Sequence, residues 1–408
     1  MPVTQEDIKL VKSEVVSDTD NNGGRMGTIL VVSDVKNNVW PDIFQAERLN
    51  GVVKYRKLFV HNRATDGSAV VAPKIWLDNV TPAEGYAYIA AGTQTDTQAD
   101  FILNPVKIFG CGTLSTDVTV GGTVLVVEIE DEQLMSDSLN SIFRVGDTIR
   151  VTDKEVVDAT SGNEDLLPVA QVDYSGSGTS VTIRSKPSNS WQASTSYSVN
   201  DTIVPAGSDN GHWYVCTTEG TTDSSEPTWP TDGTSVSDGT VVWKDMGLHR
   251  ALLNDYSATG GVTRVMSLLE PADIVATADN FVVTSSTGTY DSGNYPPELN
   301  NPGCVEQVWT VTITDGSTGA FDVTGDTLGS VGSGNISSDF EPINPDFSTA
   351  YFKLLAAGWG GTWNTGDTLV FETHPSAAPV WEVYTVPANT PSLTGEYIDL
   401  AVGGESSS

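Results

Sequence analysis

The chain has 408 residues and a formal net charge of −33, because 53 Asp and Glu residues outnumber 20 Lys and Arg residues. This acid surplus argues against a nucleic-acid-binding protein, since such proteins need Lys and Arg to neutralise phosphates. No apolar run approaches the roughly 20 residues of a membrane-spanning helix. The first residues show neither the basic nor the apolar region of a secretory signal. We therefore expect no nucleic-acid partner, no membrane insertion and no secretion.

The N-terminal residues carry the clearest helical pattern of the sequence. Thr4 is a suitable N-cap, and Ile8, Val11 and Val15 follow at spacings of three and four residues, as on one face of a helix. We therefore predict a helix that begins after Thr4 and ends near Val15. A second short helix is predicted over Asp42–Leu49, where a preceding proline suits a first helical turn.

Almost all other regular structure is predicted to be β. Alternating or β-branched runs flanked by Gly, Asp, Asn or Ser occur at Val52–Val60, Val70–Leu77, Tyr86–Ala90, Thr123–Ile129, Thr148–Thr152, Val181–Ile183, Asn280–Val283, Val308–Ile313 and Thr368–Glu372. Strands at this spacing, without helical patterns between them, favour antiparallel packing. We predict a mainly β protein with several antiparallel β-sandwich or barrel domains, a short N-terminal helix and a small inserted three-stranded β module.

The length predicts about two to four globular units, and we divide the sequence into four. They are an N-terminal α+β docking domain (1–108), a β-barrel-like domain (109–189), an inserted module (190–248) and an acidic C-terminal β domain (249–408). Ten of the 20 basic residues lie between Lys9 and Lys74, whereas Lys353 is the single basic residue after Arg264. This asymmetry indicates either a solubilising acidic surface or an assembly in which a basic N-terminal face docks an acidic partner.

A short element recurs along the chain, in which Gly or Asn is followed by Asp-Thr and then Ile or Leu. It occurs at 145–151, 199–204, 324–328 and 365–371. Gly and Asn accept a positive φ, Asp can bond the downstream backbone, and Thr-Ile begins a strand. We predict a tight turn before a strand at each occurrence. The alternative is a cation site at each aspartate.

Cysteine and histidine are too sparse to predict a disulfide framework or a metal site. The cysteines, Cys111, Cys216 and Cys304, are odd in number and widely spaced, as is typical of small buried side chains. Of the four histidines, only His212 has a cysteine within four residues, and a zinc site needs more local ligands. We therefore expect no metal ion and no cofactor.

The segment from Ser190 to Gly247 is unusually rich in tryptophan. It contains, in order, Trp191, Tyr197, Asn200-Asp-Thr-Ile-Val204, Gly211-His-Trp-Tyr-Val-Cys216, Pro227-Thr-Trp-Pro230 and Asp238-Gly-Thr-Val-Val-Trp243. This order resembles the small three-stranded carbohydrate-binding modules of the chitin-binding type. A variant that ends in Asp-Gly-Thr-x-x-Trp is widespread in tailed-phage structural and fibre proteins. The resemblance implies a module whose exposed aromatic side chains stack on sugar rings.

By position in the resembling modules, Trp213, Tyr214 and Trp229 are the candidates for glycan binding. Trp191 and Trp243 are expected in the core of the module. The alternative is that all five side chains pack internally, since a very small domain needs large aromatic residues to build a core. We predict that Trp213 or Trp229 is partly exposed and that glycan binding, where it occurs, is weak.

Both ends of the sequence carry motifs of one group of proteins. These motifs are Ser17-Asp-Thr-Asp-Asn-Asn-Gly-Gly-Arg-Met26, Asn37-Asn-Val-Trp-Pro-Asp-Ile43, Asp339-Phe-Glu-Pro342, Ala357-Gly-Trp-Gly-Gly-Thr-Trp363 and Ala378-Pro-Val-Trp381. They are similar to segments of uncharacterised phage and prophage virion proteins. The resemblance implies a structural subunit of a tailed-phage particle, and it implies no activity and no site residue.

The sequence therefore favours a structural protein over an enzyme. It has no Gly-x-Ser-x-Gly elbow, and its many acid pairs single out no catalytic pair. We expect a component of the neck, tail or baseplate of a tailed-phage particle, located in the virion after assembly in the host cytoplasm. Its expected partners are other virion proteins and copies of itself. The alternatives are host-surface glycan recognition through the inserted module and, third, a polysaccharide-degrading enzyme.

Overall fold

The computed structural model describes residues 2–81, 85–104, 106–129, 141–174, 179–392 and 397–407. These residues form a mainly β protein with several antiparallel sheets and two short α-helices, α1 (Gln45–Asn50) and α2 (Gln98–Leu103). The predicted fold class is therefore confirmed.

Each strand predicted from the sequence is present, two with the predicted bounds and the others with one or both ends moved by a few residues. The strands before the inserted module are β1 (Ile8–Val15), β2 (Gly23–Leu30), β3 (Val52–Asn62), β4 (Val70–Leu77), β5 (Tyr86–Ala91), β6 (Ile108–Phe109), β7 (Cys111–Leu114), β8 (Val124–Glu128), β9 (Thr148–Thr152), β10 (Glu164–Pro168), β11 (Gln171–Tyr174) and β12 (Ser180–Arg184). Those of the module are β13 (Ser196–Tyr197), β14 (Thr202–Ile203), β15 (His212–Thr218), β16 (Gly220–Thr221), β17 (Ser235–Asp238) and β18 (Val241–Leu248). Those after it are β19 (Arg264–Ser267), β20 (Thr277–Thr284), β21 (Thr289–Tyr290), β22 (Gln307–Asp315), β23 (Ala320–Gly325), β24 (Gly329–Asn335), β25 (Ile343–Asn344), β26 (Thr349–Ala350), β27 (Trp359–Gly360), β28 (Thr368–His374), β29 (Ala377–Val386) and β30 (Leu400–Ser406).

The N-terminal helix predicted up to Val15 is wrong. A single 3-10 turn over Gln5–Asp7 leads directly into β1, which pairs antiparallel with β3. Val11 and Ser13 are both buried on this strand. The four-residue spacing between Val11 and Val15 fits the alternation of a strand as well as the repeat of a helix, so pairing with β3 decides the conformation. The second predicted helix is confirmed as α1.

The six-stranded sheet joins the two ends of the described chain. Its order is β2-β1-β3-β29-β5-β6, so the C-terminal strand β29 lies between two N-terminal strands. The pairing of β29 with β3 runs from Ala377 opposite His61 to Val386 opposite Val52. In addition, β30 pairs with β4. The unit predicted over 1–108 thus takes the interior strand β29 and the pairing partner of β4 from the unit predicted over 249–408.

A seven-stranded sheet forms a second unit, in the order β10-β9-β19-β7-β8-β12-β11. Strand β19 follows the inserted module in sequence but lies between β9 and β7. The core on this sheet includes the fully buried side chains of Val127, Ile149, Val151, Val181 and Val265. The unit predicted over 109–189 therefore continues on the far side of the insertion.

A five-stranded sheet forms the C-terminal unit, in the order β20-β28-β22-β23-β24. Its core is aromatic and contains the fully buried side chains of Trp309 and Phe371. The glycine-tryptophan turn near the end of the chain packs Trp363 into the same core. Within this turn Gly361 has a φ of +68°, and a Cβ there would collide with the carbonyl oxygen of Thr287. Only glycine fits this position.

The recurring Asp-Thr element forms a turn that leads into a strand at each of its four occurrences. Asp147, Asp201 and Asp367 each accept a side-chain hydrogen bond from the backbone N–H three residues earlier, at 2.9, 2.7 and 2.8 Å. The residue before each aspartate has a positive φ, and strands β9, β14 and β28 follow. The predicted turn is confirmed there, although the aspartate bonds the upstream backbone and not the downstream one. The element at 324–328 forms the turn that joins β23 to β24, so the predicted turn is confirmed there as well.

The inserted module has a sheet of its own, in the order β14-β15-β18-β17, with the separate pair β13-β16. The sheet has four strands where the sequence predicted three. The hydroxyl of Ser185 donates a hydrogen bond to the carbonyl of Arg250. Lys186 and His249 both contact the carboxylate of Asp209. The chain therefore enters and leaves the module at adjacent points, as expected for an insertion.

Candidate functional site

Aromatic side chains build the core of the inserted module. Trp191 and Trp243 are buried, as predicted for core positions. Tyr197 meets Trp243 edge-on, with ring centroids 4.9 Å apart, and Trp229 meets it from another side at 6.3 Å. Edge-to-face contacts of this kind are favourable beyond the area that they bury. Large aromatic residues thus give this small unit a core that short aliphatic residues could not fill.

A buried carboxylate orients the two core indoles. One oxygen of Asp238 accepts hydrogen bonds from the indole nitrogens of Trp191, at 2.7 Å, and Trp243, at 3.2 Å. The other oxygen accepts the backbone N–H of Asp223 at 2.9 Å. The next residue, Gly239, has a φ of +61°, and a Cβ there would collide with the backbone that precedes Asp223. The Asp-Gly-Thr-x-x-Trp motif therefore has a structural explanation in this module.

Trp213 faces the rest of the protein and not the solvent. Its side chain is 1% exposed. It lies in an apolar cluster with Val204 and Val215 of the module and with two residues of the seven-stranded unit. These are Ala170, between β10 and β11, and Val145, which precedes β9. Burial of large apolar surface at this position stabilises the docking of the module. The prediction that Trp213 binds glycan is corrected accordingly, because no face of its ring is free to stack on a sugar.

Tyr214 is also buried, with its side chain fully enclosed. Its hydroxyl donates a hydrogen bond to the carbonyl of Pro230 and accepts one from the side-chain amide of Asn210, each at 2.8 Å. Burial raises the pKa of this hydroxyl, although the bond from Asn210 opposes the shift. The predicted glycan-binding role of Tyr214 is corrected for the same reason as that of Trp213.

Trp229 is the one of the three predicted glycan-binding residues that keeps exposed surface, and it is half-buried. Its indole nitrogen donates a hydrogen bond to Glu226 at 2.8 Å. The same carboxylate accepts the backbone N–H groups of Ala206 and Gly207. The ring lies over Tyr214, with centroids 4.4 Å apart. The Trp229 ring is therefore held in one orientation, and the prediction that Trp213 or Trp229 is partly exposed is confirmed through Trp229.

A second surface lies at the edge of the six-stranded sheet, where β2 is the outermost strand. We name residues 29–35 the edge segment. Ile29, Val32 and Val35 in this segment are 62%, 57% and 54% exposed. Exposed strand edges with apolar side chains favour association with other chains, and soluble monomers ordinarily protect them with charges or bulges.

Hydrogen bonds to the body of the protein hold the edge segment in place. The backbone N–H of Val31 donates to the carbonyl of Leu10 at 2.8 Å. The side-chain amide of Asn38 donates to the carbonyl of Val32 at 2.6 Å, and Lys12 donates to the carbonyl of Asn38. The apolar side chains of the segment are therefore presented on a tethered backbone, which lowers the conformational entropy lost on association.

Several basic residues of the N-terminal part are buried and paired, so they do not form a basic outer face. Lys54 on β3 contacts Asp18 at 2.9 Å and Glu47 at 2.7 Å. Lys57, also on β3, contacts Asp96 at 2.6 Å. Burial lowers the pKa of Lys57, although Asp96 opposes the shift. The charge count alone overestimated the positive surface available to an acidic partner, because these ion pairs neutralise it internally.

The structure also brings together three side chains that the sequence analysis did not connect. Asp279 on β20 and Glu372 on β28 are direct cross-strand partners. His374 lies two residues beyond Glu372 and therefore on the same face of the sheet. Its ring contacts Asp279 across a sequence separation of 95 residues, at 3.2 Å. The spacing of residues within a local motif cannot predict a cluster whose members are this far apart in the sequence.

Comparison of the chain with protein-family models, curated proteins and solved structures gives no match. In the part of the chain that the structure describes, none of the helices has the length and apolar character to cross a membrane.

Proposed function

We propose that this chain is a structural subunit of a tailed-phage particle, in its neck, tail or baseplate. It assembles in the host cytoplasm through contacts with other virion proteins and with copies of itself, and it remains in the virion. The proposal is supported by the short motifs at both ends of the sequence that resemble segments of virion proteins. It is also supported by the mainly β architecture, which offers several sheet edges for such contacts.

The observation that carries the proposal is the edge segment. Ile29 lies near the end of β2, and Val32 and Val35 lie in the turn that follows it. All three side chains are more than half exposed. Burying one such side chain stabilises an interface by about 1.5–3 kcal/mol. A neighbouring subunit that covers the segment therefore gains binding free energy from several side chains at once, on a backbone that is already ordered.

Immunogold labelling of tailed particles from a lysate of the producing bacterium tests the assignment to the virion. We expect antibodies against the purified chain to label the neck, tail or baseplate. Tailed particles that contain no trace of the chain by mass spectrometry would refute the proposal.

A matched pair of variants tests the role of the edge segment. Ile29→Asp places a charge in the segment, and Val120→Asp places one at a site that is 60% exposed elsewhere in the chain. We expect Ile29→Asp to weaken incorporation into particles at least about tenfold, which corresponds to about 1.4 kcal/mol. Val120→Asp should incorporate as the wild type does. Equal incorporation of both variants would contradict the role of the segment.

The partial exposure of Trp229 supports a second candidate function, host-surface glycan recognition by the inserted module. A single shallow aromatic platform buries little area, so we expect an affinity on the order of millimolar for one site. Many copies on one particle would raise the effective affinity. A glycan array probed with the full chain and with Trp229→Ala tests this function. Identical responses of the two proteins would remove it.

A further inference from the structure

We propose that Asp279, Glu372 and His374 form a binding site for a divalent transition-metal ion, with Zn²⁺ as its representative. The three side chains offer two carboxylate oxygens and one imidazole nitrogen. These ligand atoms all lie within 4.8 Å of one another. Mixed nitrogen and oxygen ligands in a set of three are typical of zinc sites that keep a position open for water.

The pairing of three strands fixes the positions of the ligands. Strand β28 lies between β20 and β22 in the five-stranded sheet. Alternate residues of β28 are buried, and Glu372 and His374 lie on the opposite, outward face. Asp279 of β20 is the cross-strand partner of Glu372. The site is therefore built on paired strands of a packed sheet, which position ligands more accurately than a loop does.

A local irregularity in β20 adds to this arrangement. The register between β20 and β28 shifts after Asp279, and Asn280 has a φ of +54°. Bulges of this kind re-aim side chains at sheet edges. The side-chain amide of Asn280 donates a hydrogen bond to Glu372 at 3.0 Å. This contact supports the Glu372 carboxylate from the side of the bulge.

A second carboxylate supports the histidine from behind. Glu306 precedes β22, and its side chain contacts the Nδ1 atom of His374 at 2.9 Å. The Nε2 atom of the same ring points to Asp279, at 3.2 Å. A carboxylate that holds one nitrogen of an imidazole while the other faces further ligands is the arrangement found around metal-binding histidines. Glu306 is thus a positioning residue of the proposed site.

The local charge favours a cation. Two carboxylates stand directly opposite each other at Asp279 and Glu372, and like charges across a strand pair are destabilising. Glu306 adds a third negative charge. Arg25, on the neighbouring sheet, attracts the Glu306 carboxylate electrostatically. Its guanidinium is already paired with Asp326, at 2.6 Å. A bound divalent ion would relieve the repulsion between the acids.

The type of cation follows from the ligands and from access. A histidine nitrogen is a good ligand for Zn²⁺ or Co²⁺, whereas Mg²⁺, Ca²⁺ and Mn²⁺ prefer oxygen. The side chains of His374 and Asp279 are 28% and 59% exposed, so an ion reaches the site directly from solvent. We therefore expect one site that takes Zn²⁺ and discriminates against Mg²⁺.

Isothermal titration of the full chain with ZnCl₂ at neutral pH tests the proposal. We expect one saturable equivalent of Zn²⁺, a higher thermal unfolding midpoint with the ion, and no comparable effect of MgCl₂. His374→Ala, Asp279→Asn and Glu372→Gln should each abolish the saturable event. Glu306→Gln should keep the stoichiometry and lower the affinity about tenfold or more.

His249→Gln is the matched control, because His249 also contacts a carboxylate, that of Asp209, but shares it with the ammonium of Lys186. This variant should bind Zn²⁺ as the wild type does. Binding of Co²⁺ followed by its visible absorption provides a second readout that does not depend on stability. The proposal is overturned when the wild type takes up no saturable equivalent, or when the three ligand variants bind as tightly as the wild type and the control.

Discussion

Glu382 offers the most direct test of the electrostatics of the six-stranded sheet. It lies on β29, and its side chain is enclosed in the interior. The indole of Trp40 donates a hydrogen bond to it at 3.2 Å. Burial raises the pKa of Glu382 to about 7, although Trp40 and the nearby Arg56 oppose the shift. The carboxyl group therefore keeps its proton in the folded protein over a pH range in which the unfolded chain has released it.

The sign and size of the effect follow from linkage. Between the ordinary pKa of 4.5 and about 7, the folded state binds more protons than the unfolded state, so stability falls as the pH rises. Above about pH 7 the full penalty for a charged, buried carboxylate is present. This penalty is roughly 3.5 kcal/mol at most, because each tenfold change in proton affinity between the two states corresponds to about 1.4 kcal/mol.

The substitution Glu382→Gln removes the ionisable group and keeps the shape and the acceptor for Trp40. We expect the variant to be more stable than the wild type by about 1–3 kcal/mol near pH 8, and to match it within about 1 kcal/mol near pH 5. Urea unfolding of both proteins, followed by tryptophan fluorescence at several pH values, measures this difference. Glu6→Gln, at a fully exposed side chain, is the control and should show no such pH dependence. A stability difference between Glu382→Gln and wild type that is the same near pH 5 and pH 8 would refute the reasoning.

Three further predictions concern the inserted module. Replacing 190–248 by a short Gly/Ser linker should leave a protein that still unfolds cooperatively by calorimetry, because Ser185 and Arg250 are already in contact. Loss of the cooperative unfolding transition would show that the module belongs to a core shared with the rest of the protein. Asp238→Ala should destabilise the module by about 2–4 kcal/mol in denaturant titrations, because it leaves two buried indole N–H groups without an acceptor. An unchanged unfolding midpoint would contradict the role of Asp238 as their acceptor. Trp213→Ala should cost about 3–5 kcal/mol and make the module accessible to limited proteolysis, whereas an equally resistant variant would show that other contacts hold the module.

Local patterns predicted the strands well and the long-range arrangement poorly. The strands at Val70–Leu77 and Thr148–Thr152 appear with the predicted bounds, because alternation and flanking turn residues are properties of a few neighbouring positions. The helix predicted up to Val15 failed because its spacing suits a strand too, and only the distant partner β3 decides between them.

The candidate site residues were likewise predicted well where local packing decides their position, and poorly where a distant part of the chain does. The sequence correctly placed Trp191 and Trp243 in the core of the module, since a small unit needs such residues. It misjudged Trp213, because the surface that covers this side chain belongs to another sheet. The sequence analysis did not predict the cluster at Asp279 and His374, for a similar reason. Cross-strand register, and not spacing along the chain, brings the members of this cluster together.

The position of β29 between β3 and β5 has a consequence for the order of events during synthesis. The strand that fills this place is made about 300 residues after its partner β3. At typical translation rates the ribosome needs roughly 15–60 s to produce that length of chain. During this time β3 and β5 lack the strand that lies between them in the folded sheet, so the sheet is completed only when the late strand arrives. A prematurely terminated chain would thus lack β29 and leave β3 and β5 without the strand that pairs with both of them.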